Sequence, residues 1–130
     1  TKQYQLDHRV TWMGYRSGLG HELAGFDVVI SMSDAEGLPI NLIESGWGGT
    51  PVFATRVDGN LDLIPENRFG VLVGVEEADF EIAQKLADLI NDPIRQKAIG
   101  IEFQNRVKTN FSGKRWRDDL LKIYQGLQGN

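Results

Sequence analysis

The chain has no cysteine among its 130 residues, so disulfides and thiolate metal sites are excluded. It has no long apolar run either: nothing approaches the roughly 20 residues needed to cross a bilayer. The opening residues lack the charged, apolar, small-residue order of a signal peptide, and a cytoplasmic location is expected. Basic charge is in deficit. Fourteen Lys and Arg against eighteen Asp and Glu leave a net charge of -4, which argues against nucleic acid as a partner, since that needs a basic face. His8 and His21 have no partner at metal-ligand spacing, and no Asp-x-Asp pair occurs. The chain shows no internal repeat or low-complexity tract.

What remains is ordinary for a soluble domain: 41% apolar and 25% charged residues, enough for one hydrophobic core. The organising stretch is Ser33-Asp-Ala-Glu36-Gly37-Leu38-Pro39-Ile40-Asn-Leu-Ile-Glu44. It follows the apolar run Asp27–Ser31 and precedes Gly46-Trp47-Gly48-Gly49-Thr50-Pro51. This reads as a strand end, a Gly/Pro turn, and a helix opening near Pro39 or Ile40, where a missing proline N–H does no harm. Free amides at that helix start, with the positive end of its dipole, form a seat for phosphate. Glu36 stands beside the seat, and Glu44 sits eight residues on, in the second helical turn. Two carboxylates there suit the hydroxyls of a sugar and a ribose. A simpler reading of Glu44 is a dipole contact near a helix start, contributing about 0.3–1 kcal/mol.

The rest of the chain places this stretch. Val10–Met13 is β-prone, with Gly14 as a sharp exit, and Ser17 can cap a brief helix through Ala24. Pro51–Thr55 and Val71–Val73 read as further strands, with a turn-rich segment at 58–70 between them. The first helix is expected over 40 to about 46, fraying into the glycines. Ile82, Ala83, Leu86, Leu89 and Ile90 recur at helical spacing up to Asp92-Pro93. A second such helix runs from about Pro93 to Thr109 with Ile94, Ala98, Ile101 and Phe103 apolar. Ser112 or Gly113 opens a third, with Trp116, Leu120, Ile123, Tyr124 and Leu127 along one stripe and Arg115, Arg117 and Lys122 in solvent. Strands alternating with helices predict an α/β fold with a parallel sheet and right-handed crossovers. Loops at 14–16, 33–40 and 56–60 should then gather on the carboxyl rim of the sheet, where ligands bind in such folds.

The pattern Ser33-x-x-Glu36-Gly37-x-Pro39-x-x-x-x-Glu44, then Gly49-x-Pro51-Val52, resembles the donor-site signature of retaining glycosyltransferases of GT-B fold, family four. Val10-Thr-Trp-Met-Gly14 resembles the family's Val-x-Phe-Leu-Gly strand, and Thr55-Arg-Val-Asp-Gly-Asn-Leu-Asp62 its Thr-x-Val-Gly-Gly-x-x-Glu loop. Gly70-Val-Leu-Val73 and the stretch from Asp92-Pro93 to Phe111-Ser112 fit its C-terminal helical region, so nearly the whole chain is covered in order. The resemblance implies a Rossmann-like parallel sheet with helices on both faces, here the later part of the second GT-B domain, ending in a helical segment. Residues 1–130 would form a partial nucleotide-sugar-binding domain. The acceptor domain, the start of this domain and the basic pair that grips the donor diphosphate would lie outside it.

By the same resemblance, Glu36 orients the transferred sugar and is the catalytic candidate. Glu44 accepts the ribose hydroxyls, and the backbone around Gly37, Leu38, Pro39 and Ile40 meets the sugar and diphosphate. Gly14 and Tyr15 hold the base through backbone groups, or else form a plain strand-ending turn; Ser33 bonds the loop or the ligand. Leu38-Pro39 stand where one family form has Phe-Gly, so a backbone donor is missing at 39, and Trp47 replaces an Ala and reads as packing. The implied reaction moves a glycosyl group from a UDP-, GDP- or ADP-sugar to a saccharide or lipid-linked acceptor, in polysaccharide or glycoconjugate biosynthesis, without a cofactor or metal. Peripheral contact with the inner face of a membrane is compatible with it. Two other readings stand beside it: a non-catalytic nucleotide- or partner-binding half-domain, and a GT-B sugar epimerase.

Overall fold

A computed structural model describes residues 2–127. Three strands, β1 (Val29–Ser31), β2 (Val52–Thr55) and β3 (Val71–Val73), lie side by side in that order, all parallel. The register pairs Val29 with Val52, Ile30 with Phe53 and Ser31 with Ala54, then Phe53 with Val71 and Thr55 with Val73. The helices are α1 (Ile40–Gly48), α2 (Asp58–Leu63), α3 (Asp79–Ile90), α4 (Pro93–Asn110) and α5 (Gly113–Leu127).

Alternation along the strands explains why both sheet faces are covered. Val52, Ala54 and Leu72 face a cluster built with Leu42 of α1, Leu63 of α2 and Phe103 and Val107 of α4. Phe53, Val71 and Val73 face the opposite side and meet Leu89 of α3 and Ile99 of α4. A sheet buried on both faces wants continuous apolar strands, and all of β2 and β3 is buried. Each large apolar side chain removed from water contributes about 1.5–3 kcal/mol. The expected α/β, Rossmann-like parallel arrangement with helices on both faces and a C-terminal helix is therefore present.

Helix boundaries follow local chemistry. Asp92 caps α4, its carboxylate accepting from the Arg95 amide at 2.9 Å, and Pro93 takes the first helical turn. α1 does not fray at Gly46. It runs through Gly48 and stops where Gly49 turns left-handed at φ 80, with the Thr50 amide bonding Ser45 O at 3.1 Å. α1 can lie close to α4 because residue 46 is glycine: a β-carbon there would sit 2.5 Å from Val107 and 2.9 Å from Phe103.

Four further expectations need correction. Val10–Met13 forms no strand; its residues lie in irregular backbone, and Trp12 is 82% exposed. β-Propensity is realised only in a ladder, and this segment pairs with none of the three strands. The brief helix after Ser17 is two 3-10 turns, Leu19–His21 and Leu23–Gly25, the first entered through Gly18 without a side-chain cap. The segment 58–70 is not all turn, since α2 occupies its start. On α4, Ile94 and Ile101 are exposed at 83% and 51%, and the buried face is Ile99, Gly100, Phe103 and Val107.

Candidate functional site

The loop between β1 and α1 lies at the carboxyl rim of the sheet and is held by one internal hydrogen bond and two from neighbouring elements. The hydroxyl of Ser33 donates to Glu36 Oε1 at 2.7 Å. The hydroxyl of Thr55, at the end of β2, donates to the Ser33 carbonyl at 2.5 Å. The amide of Gly59, in the first turn of α2, donates to the Glu36 carbonyl at 3.0 Å. Two of the three expected rim loops, 33–40 and 56–60, thus meet.

Behind this contact, Asn60 is fully buried and donates to Thr55 O at 2.8 Å, while its Oδ1 has no partner among the described residues. The sequence places Thr55, Gly59 and Asn60 in or beside a rim loop but gives none of them a site role, since Asp58-Gly59 looks like a turn. The available signal was the strand end at Thr55, followed by a glycine where a helix starts beside another loop.

Past Glu36 the chain enters α1 through Pro39, which is buried and forms the N-cap with no side-chain bond to the first turn. The Pro39 carbonyl accepts from the Leu42 and Ile43 amides. First-turn amides have no intrahelical partner, so those of Ile40 and Asn41 face solvent or a ligand, while Gly37 and Leu38 are exposed ahead of them.

Glu44 lies on an exposed face of α1 and leans on the 3-10 turn at Leu19–His21. A β-carbon on Gly20 would stand 3.0 Å from its carboxyl carbon. Glu44 lines a cleft of about 480 Å³ with Gly18, His21 and Trp47. Trp47 is 46% exposed there instead of packed in the core. Leu38 and Ile40 line a different cleft of about 600 Å³ together with Phe111 and with Trp116, Leu120 and Ile123 of α5.

The structure therefore joins Ser33, Glu36 and Gly37, and sets Leu38 to Ile40 at the adjoining helix start. It places Glu44 in a separate cleft that shares no lining residue with that of Leu38 and Ile40. Gly14 and Tyr15 are not brought to these residues: Gly14 has nothing within 4 Å of a would-be β-carbon, and Tyr15 is 95% exposed. Without the strand at 10–13, the loop after it has no rim to sit on. Among the described residues no acidic and histidine cluster of metal-binding size occurs, and no helix is long and apolar enough to cross a membrane.

Residues 1–110 match the family profile of glycosyl transferases group 1. The chain belongs to that family. It is 33% identical over 88 residues to an alpha-1,3/1,6-mannosyltransferase of Dictyostelium discoideum, covering 68% of this chain and 20% of that one. A solved glycosyltransferase from Rickettsia africae superposes with a TM-score of 0.89 at 25% identity, over 99% of this chain and 35% of that one. Anabaena HepE, solved in complex with UDP and glucose, superposes at 0.83 with 22% identity, over 96% and 34%, a likeness of fold alone. This group 1 chain spans about a sixth to a quarter of the length of the curated relatives it matches.

Proposed function

We propose that this chain is the donor-binding part of a retaining glycosyltransferase that moves a glycosyl group from a UDP-, GDP- or ADP-sugar to a saccharide or lipid-linked acceptor. The observation that carries the reading is the loop Ser33–Gly37, pinned by Thr55 and Gly59 immediately before the open amides of α1. Family membership and a neighbour solved with UDP and glucose support it.

In this reading Glu36, oriented by Ser33, accepts hydroxyls of the transferred sugar and holds its anomeric carbon for same-face attack. The amides of Gly37, Leu38 and Ile40 meet the sugar and the departing diphosphate, whose growing charge a helix start stabilises. Pro39 contributes shape but no donor. Glu44 accepts both ribose hydroxyls, and Gly14 and Tyr15 hold the base once segment 10–13 is paired as a strand. The acceptor would be held by a domain outside this chain, as would the basic residues gripping the diphosphate.

Steady-state kinetics of the full-length protein test it. Hydrogen bonds to a carboxylate contribute about 1.5–3 kcal/mol, so Glu44→Ala should raise the donor KM roughly ten- to a hundredfold. Glu36→Ala should lower kcat by a similar factor. Unchanged kinetics in both variants would refute the assignment. A module that only binds would show no turnover to lose. The chain carries no Asp-x-Asp pair, so transfer is expected to persist in EDTA.

A further inference from the structure

A cleft of about 290 Å³ that includes neither Glu36 nor Glu44 opens beside β3, lined by Arg56, Asn67, Leu72, Lys85, Asp88 and Arg95 among others. β3 is the last strand of the sheet on this side. The Arg56 amide donates to Val73 O across the β2–β3 ladder at 2.8 Å. Residues in a strand alternate in the side toward which they direct their backbone groups. Val71 and Val73 therefore face β2, and the N–H of Leu72 points to the open edge.

Three cations reach this cleft from three elements: Arg56 just after β2, Lys85 in α3, and Arg95 in the first turn of α4. Lys85 is paired with Glu77, and Asp88 accepts from Gln84 at 2.8 Å. The guanidiniums of Arg56 and Arg95 enter none of the ion pairs among the described residues. Two guanidiniums outside those ion pairs, with an edge amide and a carboxamide, make a donor-rich cleft in which an anion would find charge-assisted partners, Asp88 being the one carboxylate on its lining.

We infer that this cleft is a phosphate site, in which Arg56 and Arg95 grip a phosphate dianion and the Leu72 amide and Asn67 carboxamide complete its shell. Small-molecule pockets run from about 300 to 1,000 Å³, so this one suits a free phosphate or a phosphate monoester and not a nucleotide-sugar. The positive field also reaches Glu77, whose carboxyl is held low chiefly by Lys85 and the Gly74 amide, with the charge of Arg56 adding to them. The site is distinct from Glu36 and Glu44 and does not depend on the reading of the donor loop.

The test is titration of the full-length protein with inorganic phosphate at constant ionic strength, chloride as control, followed by thermal shift and calorimetry. A saturable rise in Tm with phosphate but not chloride is expected. The Arg56→Gln/Arg95→Gln double variant should weaken it at least roughly tenfold, because each guanidinium supplies a charge-assisted hydrogen bond. Phosphate acting no differently from chloride, or binding the double variant as tightly as the wild type, would overturn the inference. Should the double variant not fold, Arg95→Gln alone decides, and unchanged affinity there counts against the site. Glycerol 3-phosphate in parallel assigns the occupant: weaker binding than phosphate marks the free ion, and equal or tighter binding marks a monoester.

Discussion

Gly59 donates its amide to the carbonyl of Glu36 at 3.0 Å, and it can do so only as glycine. A β-carbon at 59 would lie 2.3 Å from the oxygen of Gly37 and 2.8 Å from that of Glu36. Both atoms are backbone, so neither can swing aside as a flexible side chain would. The first turn of α2 is thus the wall against which the Glu36 loop is moulded.

Gly59→Ala should move that wall. Overpacking of this kind costs about 1–3 kcal/mol, and urea unfolding should register that loss. The functional effect should exceed it: with the loop displaced, turnover of the full-length enzyme should fall severalfold under conditions where the variant remains folded. Wild-type kcat together with wild-type stability would show that the loop tolerates a methyl group at 59.

Ser33 acts on the side chain of Glu36 where Gly59 acts on its backbone. Its hydroxyl holds one carboxylate oxygen at 2.7 Å in a partly buried setting. Ser33→Ala removes a bond to a charged group, and partial solvent replacement reduces the loss to about 1 kcal/mol. A fall of roughly fivefold in kcat/KM is therefore expected, with Ser33→Thr restoring most of it. Unfolding midpoints of the two variants should differ little, which separates an effect on Glu36 from one on the fold.

Much of this arrangement was legible in the letters, and what escaped did so for identifiable reasons. Asp27–Ser31, Pro51–Thr55 and Val71–Val73 read as strands because β-branched runs between turn residues have few other uses. The pairing of Ser33, Glu36 and Gly37 with a helix start at Ile40 followed from Pro39. α2 was hidden because Asp58-Gly59 is a turn signal, and only the packing of Gly59 on Gly37 makes it a helix start. The stripe on α4 was misread because its buried face includes Gly100, which adds nothing to an apolar count, while the apolar Ile94 and Ile101 lie outside. Val10–Met13 has β-prone residues and no partner strand among the described residues, and Gly14 and Tyr15 lie with it apart from Glu36.

A pH dependence follows from Glu77. Lys85 and the amide of Gly74 bond its carboxylate, and with Arg56 nearby they hold its pKa below the ordinary 4.5. A carboxyl whose pKa is lower folded than unfolded stabilises the fold fully above the unfolded value, and that contribution is lost as pH falls through the folded one. Glu77→Gln should therefore leave less acid sensitivity: between about pH 6 and pH 3, its urea midpoint should fall less steeply than that of the wild type. Parallel curves for the two proteins would show that Glu77 titrates alike in both states.

Arg106 fixes the other end of α2. Its Nε donates to Leu63 O and its Nη2 to Asp62 O, each at 2.7 Å, so the last carbonyls of a six-residue helix are capped from α4. So short a helix has no independent stability; it persists because Arg106 holds its end while Leu63 is buried in the core. The guanidinium also lies 5.0 Å from the Phe69 ring centroid. A lysine ammonium cannot span two carbonyls with a planar fork, so Arg106→Lys should cost about 1–3 kcal/mol despite keeping the charge. Because α2 is one rigid turn from Gly59 to Leu63, loosening its end should loosen its start. Amide exchange at Gly59 should accelerate at least as much as the global stability falls. Fast exchange confined to residues near Leu63, with Gly59 still protected, would show instead that Thr55 and Asn60 suffice to hold the wall behind Glu36.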